Sequence, residues 1–68
     1  MYLLIEAEQT AARGITSQLQ RYGCRILQET PEGLRVEFPY AETEREALAE
    51  ARLYLASWNG ALRSARAA

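Results

Sequence analysis

The stretch Cys24-Arg25-Ile26-Leu27-Gln28-Glu29-Thr30-Pro31-Glu32-Gly33-Leu34-Arg35-Val36-Glu37-Phe38 decides how this chain folds. Leu34, Val36 and Phe38 alternate with Arg35 and Glu37, so this half reads as a strand with one buried and one wet face. Upstream, Cys24 and Ile26 point one way, and Arg25, Leu27 and Glu29 point the other. Between the halves, Pro31 presets φ and Gly33 accepts a positive φ, which is turn chemistry. Pro39 cannot donate to a ladder and ends the second strand. Residues 24–38 therefore read as an antiparallel hairpin.

On the N-terminal side, Ala12, Ile15, Leu19 and Tyr22 step by three, four and three, the period of one helix face. Thr10 is the expected N-cap. Gly23 follows the last periodic residue and suits the left-handed position beyond a helix end. Gly14 inside the helix costs about 1 kcal/mol relative to Ala unless a neighbour needs the space. Before this helix, Tyr2-Leu3-Leu4-Ile5 is apolar on both faces, as a strand within a sheet tends to be. On the C-terminal side, Thr43-Glu44-Arg45-Glu46 is a capping box. The helix it opens carries Leu48, Ala51, Leu55 and Trp58 on one stripe. Asn59-Gly60 marks a stop or bend, and residues 61–68 read as a C-terminal extension or frayed tail behind a single domain of residues 1–60.

The resulting order is β-α-β-β-α. It predicts an α+β, two-layer, ferredoxin-like arrangement lacking its last strand, with a three-stranded sheet in the order 1-3-2 and both helices on one face. The segment Thr10-Ala-Ala-Arg-Gly-Ile-Thr-Ser-Gln-Leu-Gln-Arg-Tyr-Gly23-Cys-Arg-Ile26 resembles an ACT domain, in which a helix of this length ends in Gly and returns through an apolar strand. That resemblance implies a regulatory module sensing a small ligand, although Gln9-Thr10 stands where such domains carry a Gly before the helix. A second likeness lies in Gly33-Leu-Arg-Val-Glu-Phe-Pro39 followed by Thr43 and Glu46-Ala-Leu-Ala-Glu-Ala51. This is similar to HicB-type antitoxins and implies a toxin-neutralising or nucleic-acid-associated regulator.

Every charged side chain is Arg or Glu; the chain has no His, Asp or Lys, and one Cys. The usual near-neutral acid/base residue, the Schiff-base lysine and zinc clusters are therefore missing from the alphabet. Cys24 follows a helix C-terminus, the wrong end to stabilise a thiolate. Glu6 and Glu8 form the one carboxylate pair near a strand end, where ligands gather in open sheets. No phosphate-loop spacing links Gly14, Gly23, Gly33 and Gly60. The chain is expected to be non-enzymatic, with no catalytic, metal or cofactor site. Its net charge of −1 gives no positive excess, so nucleic acid is not expected as a partner. Arg25 and Arg35 are expected to share the outer sheet face with Glu29 and Glu37.

No apolar run is long enough to cross a membrane, and one unpaired thiol suits a reducing, cytoplasmic compartment. Function is expected on two uncharged surfaces. The first is strand 1, expected to be an unguarded sheet edge. The second is the apolar stripe of the second helix. Tyr2, Leu3, Leu4, Ile5, Leu55, Trp58 and Leu62 are the candidate interface residues, joining two copies or a protein partner into a small interaction or regulatory module.

Overall fold

A computed structural model describes all residues, Met1–Ala68. In chain order the elements are β1 (Tyr2–Ala7), a 3₁₀ turn (Gln9–Ala11), α1 (Ala12–Arg21), β2 (Arg25–Thr30), β3 (Gly33–Glu37), α2 (Glu44–Tyr54), a second 3₁₀ turn (Ala56–Ala61) and β4 (Leu62–Ala67). The sheet has four strands, all neighbours antiparallel, in the order β2-β3-β1-β4. The expected three-stranded sheet is therefore incorrect. The chain completes a β-α-β-β-α-β order, and residues 62–67, expected to fray, are its last strand. No helix is long and apolar enough to cross a membrane.

β4 escapes detection because Ala, Arg and Ser are weak strand formers. Tertiary contacts supply what propensity lacks. The Glu8 amide donates to the Ala61 carbonyl at 2.9 Å, and the Ala68 amide donates to the Tyr2 carbonyl at 3.1 Å. Between these ends, β1 and β4 pair from Leu3↔Ala67 to Glu6↔Ser64, with a bulge before Ala7↔Leu62.

The core lies between the sheet and the helices. Leu3 and Ile5 of β1, Leu34 and Val36 of β3, Ile15 and Leu19 of α1, and Ala47, Ala51 and Leu55 of the α2 segment are all buried together. The hairpin forms as its turn residues require. Thr30 Oγ1 accepts from the amides of Glu32 and Gly33, both at 3.2 Å. Gly33 has φ +153°, and a Cβ there would strike the Ile5 carbonyl. Glu29, however, does not share the outer face with Arg25. A bulge at Leu27 shifts the register, so Gln28 pairs with Arg35 and Glu29 pairs with the inward-facing Leu34. A one-residue slip moves every later side chain to the other face.

α1 ends as its sequence dictates. Gly23 has φ +86°, its amide donates to the Gln20 carbonyl at 3.1 Å, and the Cys24 amide donates to the Leu19 carbonyl at 3.0 Å. These are the paired bonds of a Schellman cap, closed by the buried Leu19 and Cys24. Thr10 is not the N-cap of α1. It lies within the 3₁₀ turn, and neither that turn nor α1 has a side-chain cap. In α2 Thr43 caps as expected, the Glu46 amide donating to Thr43 Oγ1 at 3.1 Å, but the Glu46 carboxylate accepts from the Thr43 hydroxyl at 3.3 Å rather than from its amide, so the reciprocal half of the box is missing.

α2 stops at Tyr54, earlier than its stripe suggests. Leu55 leaves helical geometry at φ −107°, ψ 23°, and the Trp58 amide then donates to the Leu55 carbonyl at 2.8 Å. The three-residue step from Leu55 to Trp58 fits a 3₁₀ turn as well as a helix. Leu62 and Ala65 consequently belong to β4 rather than to a longer helix. Trp58 lies against Gly14, where an added Cβ would run into the six-membered ring of the indole. Gly14 thus weakens α1 locally so that Trp58 can seat.

Gly14→Ala is accordingly expected to lower stability. The gain of about 1 kcal/mol in helix propensity is outweighed by overpacking that costs about 1–3 kcal/mol. Thermal unfolding should show a lower midpoint and Trp58 fluorescence should shift to the red. Gly60, with nothing within 4 Å of an added Cβ, should tolerate the same change.

Candidate functional site

The seven residues expected at an interface fall on different surfaces. β1 is interior to the sheet, paired with β3 on one side and β4 on the other. Its edge is closed, which corrects the expectation of strand-to-strand association through Tyr2–Ile5. Leu3, Ile5 and Leu55 are buried in the core. Tyr2 and Leu4 alternate away from it onto the helix-free face of the sheet. Trp58 is seated on α1, and Leu62 is half-buried at the start of β4.

Around Tyr2 and Leu4 the helix-free face carries charged and polar side chains that pair with one another. Arg25 Nη1 lies 3.5 Å from Glu37 Oε1, and Arg35 Nη1 donates to Gln28 Oε1 at 3.3 Å. Ser64 Oγ donates to Glu6 Oε2 at 2.8 Å, and Arg66 Nη1 donates to Glu6 Oε1 at 3.2 Å. These two hydrogen bonds hold the Glu6 carboxyl below the usual carboxylate range, the Ser64 bond contributing most. Glu6 is therefore a clip between β1 and β4, while Glu8 is exposed at the following turn. The two do not act as a carboxylate pair. Burial, reinforced by the nearby Glu50, pushes the Cys24 thiol up to about 11, which suits a core residue rather than a nucleophile.

Three rows of α2 explain where an open surface remains. Residues four apart on a helix share a row. The first row, Glu50 and Tyr54, faces α1. The Tyr22 and Tyr54 rings stack there with centroids 4.3 Å apart and planes 4° from parallel. Tyr54 Oη donates to Glu50 Oε1 at 2.9 Å, and that bond, with burial, pushes the phenol up to about 12. No periodic signal marks this pair, because Tyr54 falls off the Leu48/Ala51/Leu55 stripe. The second row, Ala47, Ala51 and Leu55, faces the sheet and is buried.

The third row, Glu44, Leu48 and Arg52, looks away from α1. Here α2 and β4 do not close on each other. A groove of about 270 Å³ runs between them, its apolar floor including Leu48, Leu55, Leu62 and Ala65, with Arg52 and Arg63 among its lining residues. The small side chains of β4 leave it open. Leu48 is half-buried, and Leu53 on the adjoining helix surface is 73% exposed. Of the expected interface residues, Ile5, Leu55 and Leu62 line this groove. Leu48 and Arg52 do too, and the sequence reading placed Leu48 on the core stripe.

A smaller hollow of about 210 Å³ lies on the β2–β3 side of Ile5, with Ala7, Gln9 and Ala12 on one side and Glu29, Thr30 and Pro31 on the other. No group of three or more His, Cys, Asp or Glu side chains converges as a metal site would require. No protein-family model, curated protein or solved structure matches this chain.

The Glu6 clip carries a pH dependence. Its folded-state pKa is depressed, so its stabilisation is present above the unfolded value of about 4.3 and is lost as pH falls through the lower folded value. Glu6→Gln is expected to be less stable than the parent at neutral pH. Unfolding curves of the two should converge as pH drops below about 4. A gap that persisted in acid would remove the carboxylate from the account.

Proposed function

We propose that this chain is a small, non-enzymatic interaction or regulatory module that works as a homodimer. The observation that carries the reading is the open apolar groove between α2 and β4, lined by Leu48, Leu55, Leu62 and Ala65. A 68-residue chain has a thin core, and association is a common way for such chains to gain stability. The sheet edges are less suited to the task. β2 carries the bulge at Leu27, and β4 carries Arg63, Arg66 and a bulge near its start. Bulges and charged residues are the devices that keep edges from pairing. The non-enzymatic reading is supported by the fate of the reactive groups. Cys24 is buried with a raised pKa, and Glu6 is consumed as a clip. The buried, unpaired thiol also suits a reducing, cytoplasmic setting.

A second reading, ligand sensing of the ACT type, is favoured by one observation. The hollow beside Gln9 and Ala12 lies within the stretch where the resemblance implies a ligand. Titration with free amino acids, followed by amide resonances of residues 6–15, tests it; unmoved resonances would end that reading.

Sedimentation equilibrium tests the main proposal. The expected result is a dimer mass at high micromolar concentration, giving way to monomer on dilution. A monomer throughout that range would overturn it.

A further inference from the structure

We infer that the second copy docks along α2, antiparallel to its counterpart, about a two-fold axis at Leu48. This rests on the homodimer reading above and names the surface that forms it. Glu44, Leu48 and Arg52 form one i, i+4, i+8 row on α2. Their order is acid, apolar, base, and it is symmetric in position about Leu48. When two such rows meet antiparallel, Leu48 faces Leu48 of the other copy. Glu44 of each chain then faces Arg52 of the other, giving two opposite-charge contacts from one row. A two-fold interface requires such self-complementarity, because each patch must fit itself.

Within one chain these charges have no use for each other. Eight residues of helix separate Glu44 from Arg52 by about 12 Å. The ion pairs the chain does form, Arg25–Glu37 and Arg66–Glu6, involve neither residue. Arg52 is exposed, and Glu44 and Leu48 are half-buried, Leu48 resting its inner side against the core. The opposite side of α2 is occupied by α1 through the Tyr22–Tyr54 stack and the Trp58–Gly14 contact. The groove beside Leu48 and Leu55 provides apolar surface to bury next to the charged contacts.

Charge reversal separates this arrangement from any other dimer. Arg52→Glu alone and Glu44→Arg alone should each weaken self-association at least about tenfold, because like charges then face each other at both contacts. An equimolar mixture of these two variants should recover the dimer, since every facing pair is again opposite in sign. The double variant Glu44→Arg/Arg52→Glu should self-associate within about threefold of the parent. Recovery in the mixture also shows that both single variants fold. For the unaltered chain, raising salt from about 0.05 M to about 1 M should weaken association, as screening predicts. A parent dimer indifferent to both reversals and to salt would overturn this interface while leaving the homodimer reading intact. Weakening by both reversals without recovery in the mixture or the double variant would overturn the antiparallel pairing. A parent that is monomeric at high micromolar concentration would overturn the homodimer reading itself.

Discussion

β1 needs a hydrogen-bonding partner along both of its edges, and the rest of the structure depends on that need being met. β1 contributes Leu3 and Ile5 to the core, and both are essentially fully buried. A buried strand with an open edge would leave amides and carbonyls unpaired, at a cost comparable to a lost hydrogen bond for each. β3 covers one edge through the hairpin. β4 covers the other, although its sequence has little intrinsic preference to be a strand. The Glu6 carboxylate bridges the difference, accepting from both Ser64 and Arg66. An exposed ion pair alone contributes about 0–1 kcal/mol, so the clip aids register more than raw stability. The ladder and the burial of Leu62 and Ala65 against the core carry the remainder.

Closing the sheet also moves the functional question from the strands to α2. With β1 interior, association has to use another surface. α2 divides its circumference among α1, the sheet, the groove it shares with β4, and an outer face of Arg45, Ala49 and Leu53 exposed to solvent. The row on α1 is fixed by Tyr54 and the seat of Trp58 on Gly14. The row on the sheet is fixed by Ala47, Ala51 and Leu55. The open groove beside the third row arises because β4 is built from small residues. The weak strand propensity that hid β4 from sequence reading is thus also what leaves space beside α2.

What was legible in the sequence was chemistry acting within a few residues. The turn at Pro31–Gly33, the Gly23 cap and the Thr43 N-cap all appear as read, because their partners lie within about one turn of chain. What was illegible depended on distant partners. Ser64 meets Glu6 across 58 positions, and no local signal announces that. The bulge at Leu27 is a single-residue event that alternation cannot locate, and it moved Glu29 off the outer face. The end of α2 was misplaced because a 3₁₀ turn preserves the spacing of three. Four of the seven expected interface residues, Tyr2–Ile5, lie on strand 1 because a sheet without β4 leaves that strand an edge.

Amide hydrogen exchange of β1 measures the central constraint directly. A strand paired on both sides exchanges only with the opening of the core, so the amides of Leu4 and Glu6, which face β4, should exchange as slowly as those of Leu34 and Val36 in β3. Comparable protection across both strands is the result this structure predicts. β1 amides facing β4 that exchange as fast as an unprotected edge, while β3 stays protected, would contradict the closure of the sheet by residues 62–67.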